Sequence, residues 1–103
     1  MAIARDIDSK IHRFINLVAK KITVVQAYVF GSSVRGIRHD WSDIDLAIVS
    51  PDFSGDRFED YKLLIPFIIE VDRSIEVHPF HPRDFNEDNP FIKEILTSGL
   101  KIV

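Results

Sequence analysis

Apolar residues recur along the chain either at helical spacing or in unbroken runs, and the switches between the two mark out its elements. Ile7, Ile11, Phe14, Ile15 and Val18 share one face of a helix predicted over Ile7–Lys21. Asp6 or Asp8 suits its start, and Lys20-Lys21 the negative end of its dipole. Val24–Phe30 is a β-branched and aromatic run with little alternation, which predicts a strand buried on both faces. Gly31-Ser32 stops it. A short helical turn over Ser32–Arg35 ends at Gly36, and a polar loop, Ile37–Ser42, leads into a second strand, Asp43–Val49, halted by Ser50-Pro51. A helix is predicted over Asp56–Glu70, with Phe58, Tyr61, Leu64, Ile65 and Ile68 on its inner face, and Pro66 is expected to kink or divide it. Ser74–Phe80 reads as a third strand. Asn89-Pro90 reads as the N-cap and first position of a last helix carrying Phe91, Ile92, Ile95 and Leu96, which Gly99 ends. Leu100–Val103 adds a short final strand. The order α-β-α-β-α-β-α-(β) predicts an α/β fold, a small sheet with helices packed on it.

Composition narrows the function classes. The 103 residues suit one domain over residues 1–103 with a single core. There are no cysteines, so a disulfide framework, a thiolate nucleophile and a Cys-based zinc site are excluded. A formal charge of −3 argues against a protein whose main task is gripping nucleic-acid backbone, and direct nucleic-acid binding is not expected. The longest apolar runs, Leu63–Ile69 and Val24–Phe30, fall far short of the roughly 20 residues a membrane-spanning helix needs. Met1–Asp6 lacks the charged start and apolar run of a signal peptide, so a cytoplasmic protein away from membranes is expected.

The chemistry gathers between Gly31 and Leu46. Asp43 and Asp45 stand two apart at the head of an apolar strand, so both point to one face while Ile44 and Leu46 point into the core. Two like charges on neighbouring same-face positions repel, and a cation between them relieves the repulsion. Carboxylate oxygens are hard ligands suited to Mg²⁺, which is usually shared with substrate phosphates. A strand that ends in Gly-Ser and feeds a helical turn offers backbone N–H groups to an anion. Gly31 lets a phosphate approach the backbone closely, Ser32 adds a hydroxyl, and Arg35 and Arg38 are near in sequence. A phosphate cradle beside a carboxylate pair is equipment for metal-assisted nucleotidyl or phosphoryl transfer.

Gly31-Ser32, ten residues, then Asp43-Ile44-Asp45 resembles the G-S-x10-D-x-D signature of the DNA polymerase β-like nucleotidyltransferase superfamily. Gly36 with Ser42-Asp43-Ile44-Asp45-Leu46 is similar to its minimal stand-alone branch, the minimal nucleotidyltransferase (MNT) domains. Ile75–Phe80 and Asn89–Ile95 extend the resemblance over about residues 22–103. The resemblance implies a mixed, mostly antiparallel sheet of three or four strands. It implies that Gly31 and Ser32 hold the triphosphate of ATP or another NTP, and that Asp43 and Asp45 bind two Mg²⁺ ions. A third carboxylate on a neighbouring strand completes such sites. Glu76, between Ile75 and Val77, is the first choice, although many superfamily members have Asp there; Asp72 is the reserve. A HEPN-domain toxin protein is the implied partner, with AMP placed on a hydroxyl of that toxin and this chain acting as antitoxin.

Other readings stand beside these. A non-catalytic binding module would neutralise a partner by covering it. Antibiotic modification fits less well, because such enzymes bring a further helical domain or a dimer-built cleft. Many Ile and Phe side chains in so small a chain are compatible with a homo-oligomer. His78 lies on the same strand face as Glu76; a structural role is its simpler reading, with a metal or proton-shuttle role beside it. Asp40 reads as a loop acid and Trp41 as packing for that loop. The acidic clusters Asp52–Asp60 and Asp84–Asp88 read as solvated faces.

Overall fold

The computed structural model describes residues 5–31 and 43–103. The expected turn over Ser32–Arg35 and loop over Ile37–Ser42 lie outside these residues. Helix α1 (Arg5–Ala19) buries Ile7, Ile11, Phe14, Ile15 and Val18, the five residues picked out by spacing. It ends just before the lysine pair. Strands β1 (Gln26–Phe30) and β2 (Ile44–Val49) pair antiparallel, with Phe30 opposite Asp45. Helix α2 (Arg57–Val71) follows, then β3 (Ile75–Phe80), a 3-10 turn at Pro82–Asp84, helix α3 (Pro90–Ser98) and the short β4 (Leu100–Lys101).

The sheet order is β3-β2-β1-β4. β3 runs parallel to β2, whereas β1 pairs antiparallel with both β2 and β4. The sheet is therefore mixed and mostly antiparallel, as expected. Pro79 is tolerated because β3 lies at the edge of the sheet.

Alternation along the strands gives the sheet two different faces. On one face Ala27, Val29, Ile44, Leu46, Ile48, Ile75 and Val77 form a continuous core with the buried residues of α1 and with Leu64 and Ile68 of α2. On the other face Tyr28, Phe30, Ala47, Val49 and Phe80 pack against Phe85, Ile92 and Ile95. Each fully buried Ile, Leu or Phe removes enough apolar surface from water to contribute about 1.5–3 kcal/mol. α3 covers only part of this second face; Asp45, Glu76 and His78 occupy the rest.

Three expectations need correction, all around α2. Pro66 does not divide it: one helix runs from Arg57 to Val71. Pro66 and Lys62, whose carbonyl loses its helical partner, are both exposed, so water can satisfy that carbonyl. Phe58 is not on the inner face but 70% exposed. The first-turn inner position belongs instead to Asp60, which is 2% exposed and so is not part of a solvated face. Its carboxylate accepts from the Ser54 and Gly55 backbone N–H groups at 2.8 and 3.0 Å and from the Ser54 hydroxyl at 2.9 Å. Those bonds fix the rotation of the helix and turn Phe58 outward. Asp56 caps α2 by accepting from the Phe58 and Glu59 N–H groups. Asn89 caps α3 the same way ahead of Pro90, and Gly99 ends it, as the sequence predicts.

Candidate active site

The site stands at one end of the second sheet face, where β1 stops and β2 and β3 begin. Register builds it. Parallel pairing sets Asp45 of β2 beside Glu76 of β3, and antiparallel pairing sets Phe30 on Asp45's other side. Asp43 lies just before β2, two residues from Asp45 and therefore on the same side. Burial of Ile44 and Leu46 in the opposite core holds both aspartates on the open face.

Glu76 records how close these carboxylates are. Its pKa is pushed up first by desolvation, then by the charge of Asp45, and further by hydrogen bonding and charge from Asp43. Among the described residues, no lysine or arginine forms an ion pair with Asp43, Asp45 or Glu76. Among the described residues, Asp45 and Glu76 come together with Asp43 beside Glu76, and no cationic side chain stands between them. All their donor atoms are hard oxygens, so the group fits a divalent cation such as Mg²⁺.

Gly31 joins the turn to the carboxylates. Its φ is +76°, where only glycine sits without strain, and a Cβ there would stand 2.5 Å from Asp45 Oδ2. The glycine expected to admit a phosphate thus first makes room for the Asp45 carboxylate. Ser32 and Arg35, the other expected nucleotide contacts, lie outside the described residues, as do Arg38, Asp40 and Trp41.

The reserve carboxylate, Asp72, is engaged elsewhere. It accepts from the Ser74 backbone N–H at 2.8 Å and the Ser74 hydroxyl at 2.7 Å, and pairs with Lys10 of α1 at 2.6 Å. The Lys10 and Ser74 bonds hold its carboxyl down at about 2, below the usual 3.8. Asp72 ties α1 to the end of α2, and Glu76 is the residue that meets Asp45.

Sequence reasoning ranked His78 low, yet it borders the cluster. Its Nε2 lies 3.4 Å from Asp45 Oδ1, and one atom each from Asp45, Glu76 and His78 lie within 4.8 Å of one another. The ring packs on Phe30 and Phe91 with centroids 5.1 and 5.6 Å away. Burial is the main influence on its pKa and pushes it down, against the pull of Asp45. The available signal was its position two residues after Glu76, which puts it on the same face. Arg57, whose Nη2 lies 3.4 Å from His78 Nδ1, gave no signal in the sequence at all.

Two clefts flank Arg57. One, of about 400 Å³, is lined by Glu76, His78, Arg57, Phe58, Tyr61, Val77 and Pro79. The other, of about 690 Å³, is walled by Phe91, Phe80, Arg83 and Asn86 and touches none of the carboxylates of the cluster. The smaller cleft is the one that opens on the chemistry.

A family model described as the nucleotidyltransferase domain matches residues 11–103. Among solved structures, a candidate nucleotidyltransferase from Sulfolobus solfataricus is similar in fold, with a TM-score of 0.62 at 19% identity over 98% of this chain and 89% of that one. A chain of a toxin–antitoxin crystal structure with AMP-PNP is similar with a TM-score of 0.57 at 25% identity, over 95% of this chain and 72% of that one. No curated protein matches the chain. Among the described residues, no helix is long and apolar enough to cross a membrane.

Proposed function

The chain belongs to the nucleotidyltransferase domain family, and on that premise we propose that it moves a nucleoside monophosphate, AMP from ATP, onto a hydroxyl of a HEPN-type toxin partner and so acts as its antitoxin. The observation that carries this reading is the meeting of Asp43, Asp45 and Glu76 on one open sheet face beside Gly31. In this reading Asp43, Asp45 and Glu76 hold two Mg²⁺ ions. When bound, the ions neutralise charge on the triphosphate and on the attacking and leaving oxygens.

The chain's own groups do the rest. Gly31, Ser32 and Arg35 bind the triphosphate. Glu76 takes the proton of the acceptor hydroxyl on a carboxylate oxygen. The acceptor oxygen bonds to the α-phosphorus, the bond from that phosphorus to the bridging oxygen breaks, and pyrophosphate leaves. The small cleft beside Glu76 gives the hydroxyl a way in. The toxin–antitoxin neighbour with AMP-PNP supports both a nucleotide and a toxin for a domain of this kind. In this reading the protein works in the cytoplasm, where ATP is supplied.

The test is mass spectrometry. The protein is incubated with Mg²⁺, each NTP in turn and a HEPN-type toxin protein. A nucleotide increment on that partner, absent with Asp43→Asn, is the expected result. A tight complex with no increment, indifferent to Asp43→Asn, would instead establish the binding module.

A further inference from the structure

The two oxygens of Asp45 have different neighbours. Oδ2 faces the space that Gly31 leaves open, and Oδ1 faces His78 Nε2 at 3.4 Å. On the far side of the same ring, His78 Nδ1 faces Arg57 Nη2 at 3.4 Å. A guanidinium carries donors only and stays charged in proteins. A ring nitrogen that meets it must accept, so Nδ1 carries no proton. An imidazole with a bare Nδ1 carries its one proton on Nε2. That nitrogen faces a carboxylate oxygen, which accepts it.

We propose that Arg57 fixes His78 as the Nε2–H tautomer, and that His78 thereby serves as a positioning residue for Asp45 rather than as a cation ligand. The proposal rests on the reading of Asp45 as a cation-holding residue. It reinterprets the Asp45–Glu76–His78 group, whose spacing alone suits a metal centre. An Nε2 that bears a proton has no lone pair to give, so the ligating set is the carboxylates. His78 orients one of them, as the hydrogen-bond partners of ligating carboxylates do around metal sites.

The surroundings of the ring suit that task. Phe30 and Phe91 pack on it, and its side chain is only 14% exposed, so the direction of the N–H is set by packing. Arg57 is the first residue of α2 and Asp45 belongs to β2, so the start of a helix is linked through one imidazole to the carboxylate cluster. The opposite tautomer would point an Nδ1–H at the guanidinium and leave Asp45 Oδ1 facing a lone pair, losing both interactions.

Long-range ¹H–¹⁵N correlation on the cation-free protein reads the tautomer of His78 directly. The expected spectrum has the proton on Nε2 in the wild type and in Arg57→Lys, with that preference lost in Arg57→Ala. A proton on Nδ1 in the wild type, or a tautomer indifferent to Arg57→Ala, would overturn the proposal. Calorimetry with Mn²⁺ supplies the second readout. His78→Ala should weaken Mn²⁺ binding about 10–100-fold, and His78→Gln, whose amide N–H can still reach Asp45, should recover most of it. Equal loss in both variants would make His78 a ligand and sink the proposal. Failure of the underlying reading looks different: Asp45→Asn would then leave Mn²⁺ affinity unchanged while the Nε2–H tautomer persists.

Discussion

The two faces of the sheet are made by the same strands, often by adjacent residues, yet they solve opposite problems. One face carries Ala27, Val29, Ile44, Leu46, Ile48, Ile75 and Val77 and is sealed beneath α1 and α2. The other alternates out of phase with it, and is apolar at Tyr28, Ala47, Val49 and Phe80 but acidic at Asp45 and Glu76. The first face is built from contacts that favour folding. The second ends in carboxylates that raise one another's energy, and they persist because the sealed face holds the strands in register. Two acids make the contrast local. Asp60, on the inner side of α2, is almost fully buried and accepts three hydrogen bonds. Asp45 lies between Phe30, Glu76 and His78 and, among the described residues, has no lysine or arginine paired with it. Stability and chemistry are therefore separable by residue, and substitutions on each side can test that.

The largest effect belongs to the acidic end. Asp45→Asn keeps the shape of the side chain and removes the charge that, under the proposed function, would hold a cation. Loss of about 4 kcal/mol of transition-state stabilisation would lower nucleotide transfer on the order of 10³-fold. The same change relieves repulsion with Glu76, so the thermal midpoint should hold or rise. A variant that is both active and less stable would mean that Asp45 is a structural acid like Asp60, and the contrast between the faces would fail.

Next come two substitutions under the sealed face. Leu64→Ala empties a position that is 1% exposed between α2 and the sheet, and should cost about 3 kcal/mol in urea denaturation. Asp60→Ala strands the Ser54 and Gly55 N–H groups and should cost about 2 kcal/mol. In both, transfer per folded molecule should match the wild type. A large loss of turnover at undiminished stability would show that the sealed face reaches the chemistry after all.

The sequence carried most of this division. Period-two alternation was enough to put Asp43 and Asp45 on the face opposite Ile44 and Leu46, because burial of the apolar pair leaves the acids no other direction. The caps at Asn89 and Gly99 were readable because they act through their own neighbours in the chain. Glu76 could be chosen over Asp72 by its place within a strand, but the reason Asp72 is occupied, its ion pair with Lys10, joins residues 62 apart in the sequence. The rotation of α2 is hidden from the sequence for a related cause. Hydropathy ranks Phe58 as core and Asp60 as surface, and only the bonds from Ser54 and Gly55 reverse them. Arg57 was invisible because its significance lies in facing His78 across two elements.

The smallest effect sharpens the comparison at a third carboxylate. Asp72 resembles Asp60 in having its partners, and its role is to fasten α1 to the turn before β3. Its folded pKa of about 2 lies below the ordinary 3.8, chiefly because Lys10 and then Ser74 bond to the charged form. A carboxyl depressed in the folded state adds stability that is complete above the unfolded pKa and disappears as the pH falls through the folded one. The contribution should therefore be intact at pH 5 and lost between about pH 4 and pH 2. Lys10 is 39% exposed, so water screens the pair and about 1 kcal/mol is expected rather than the full value of the shift. Urea denaturation of wild type and Asp72→Asn at pH 5 and pH 2 measures it, because the other titrating groups cancel in the difference. The gap between the two proteins should close at the lower pH, and Lys10→Met should reproduce most of it at pH 5. A gap that does not change with pH would mean that Asp72 acts through its shape and not its charge, and would remove it from the set of paired acids to which Asp60 belongs.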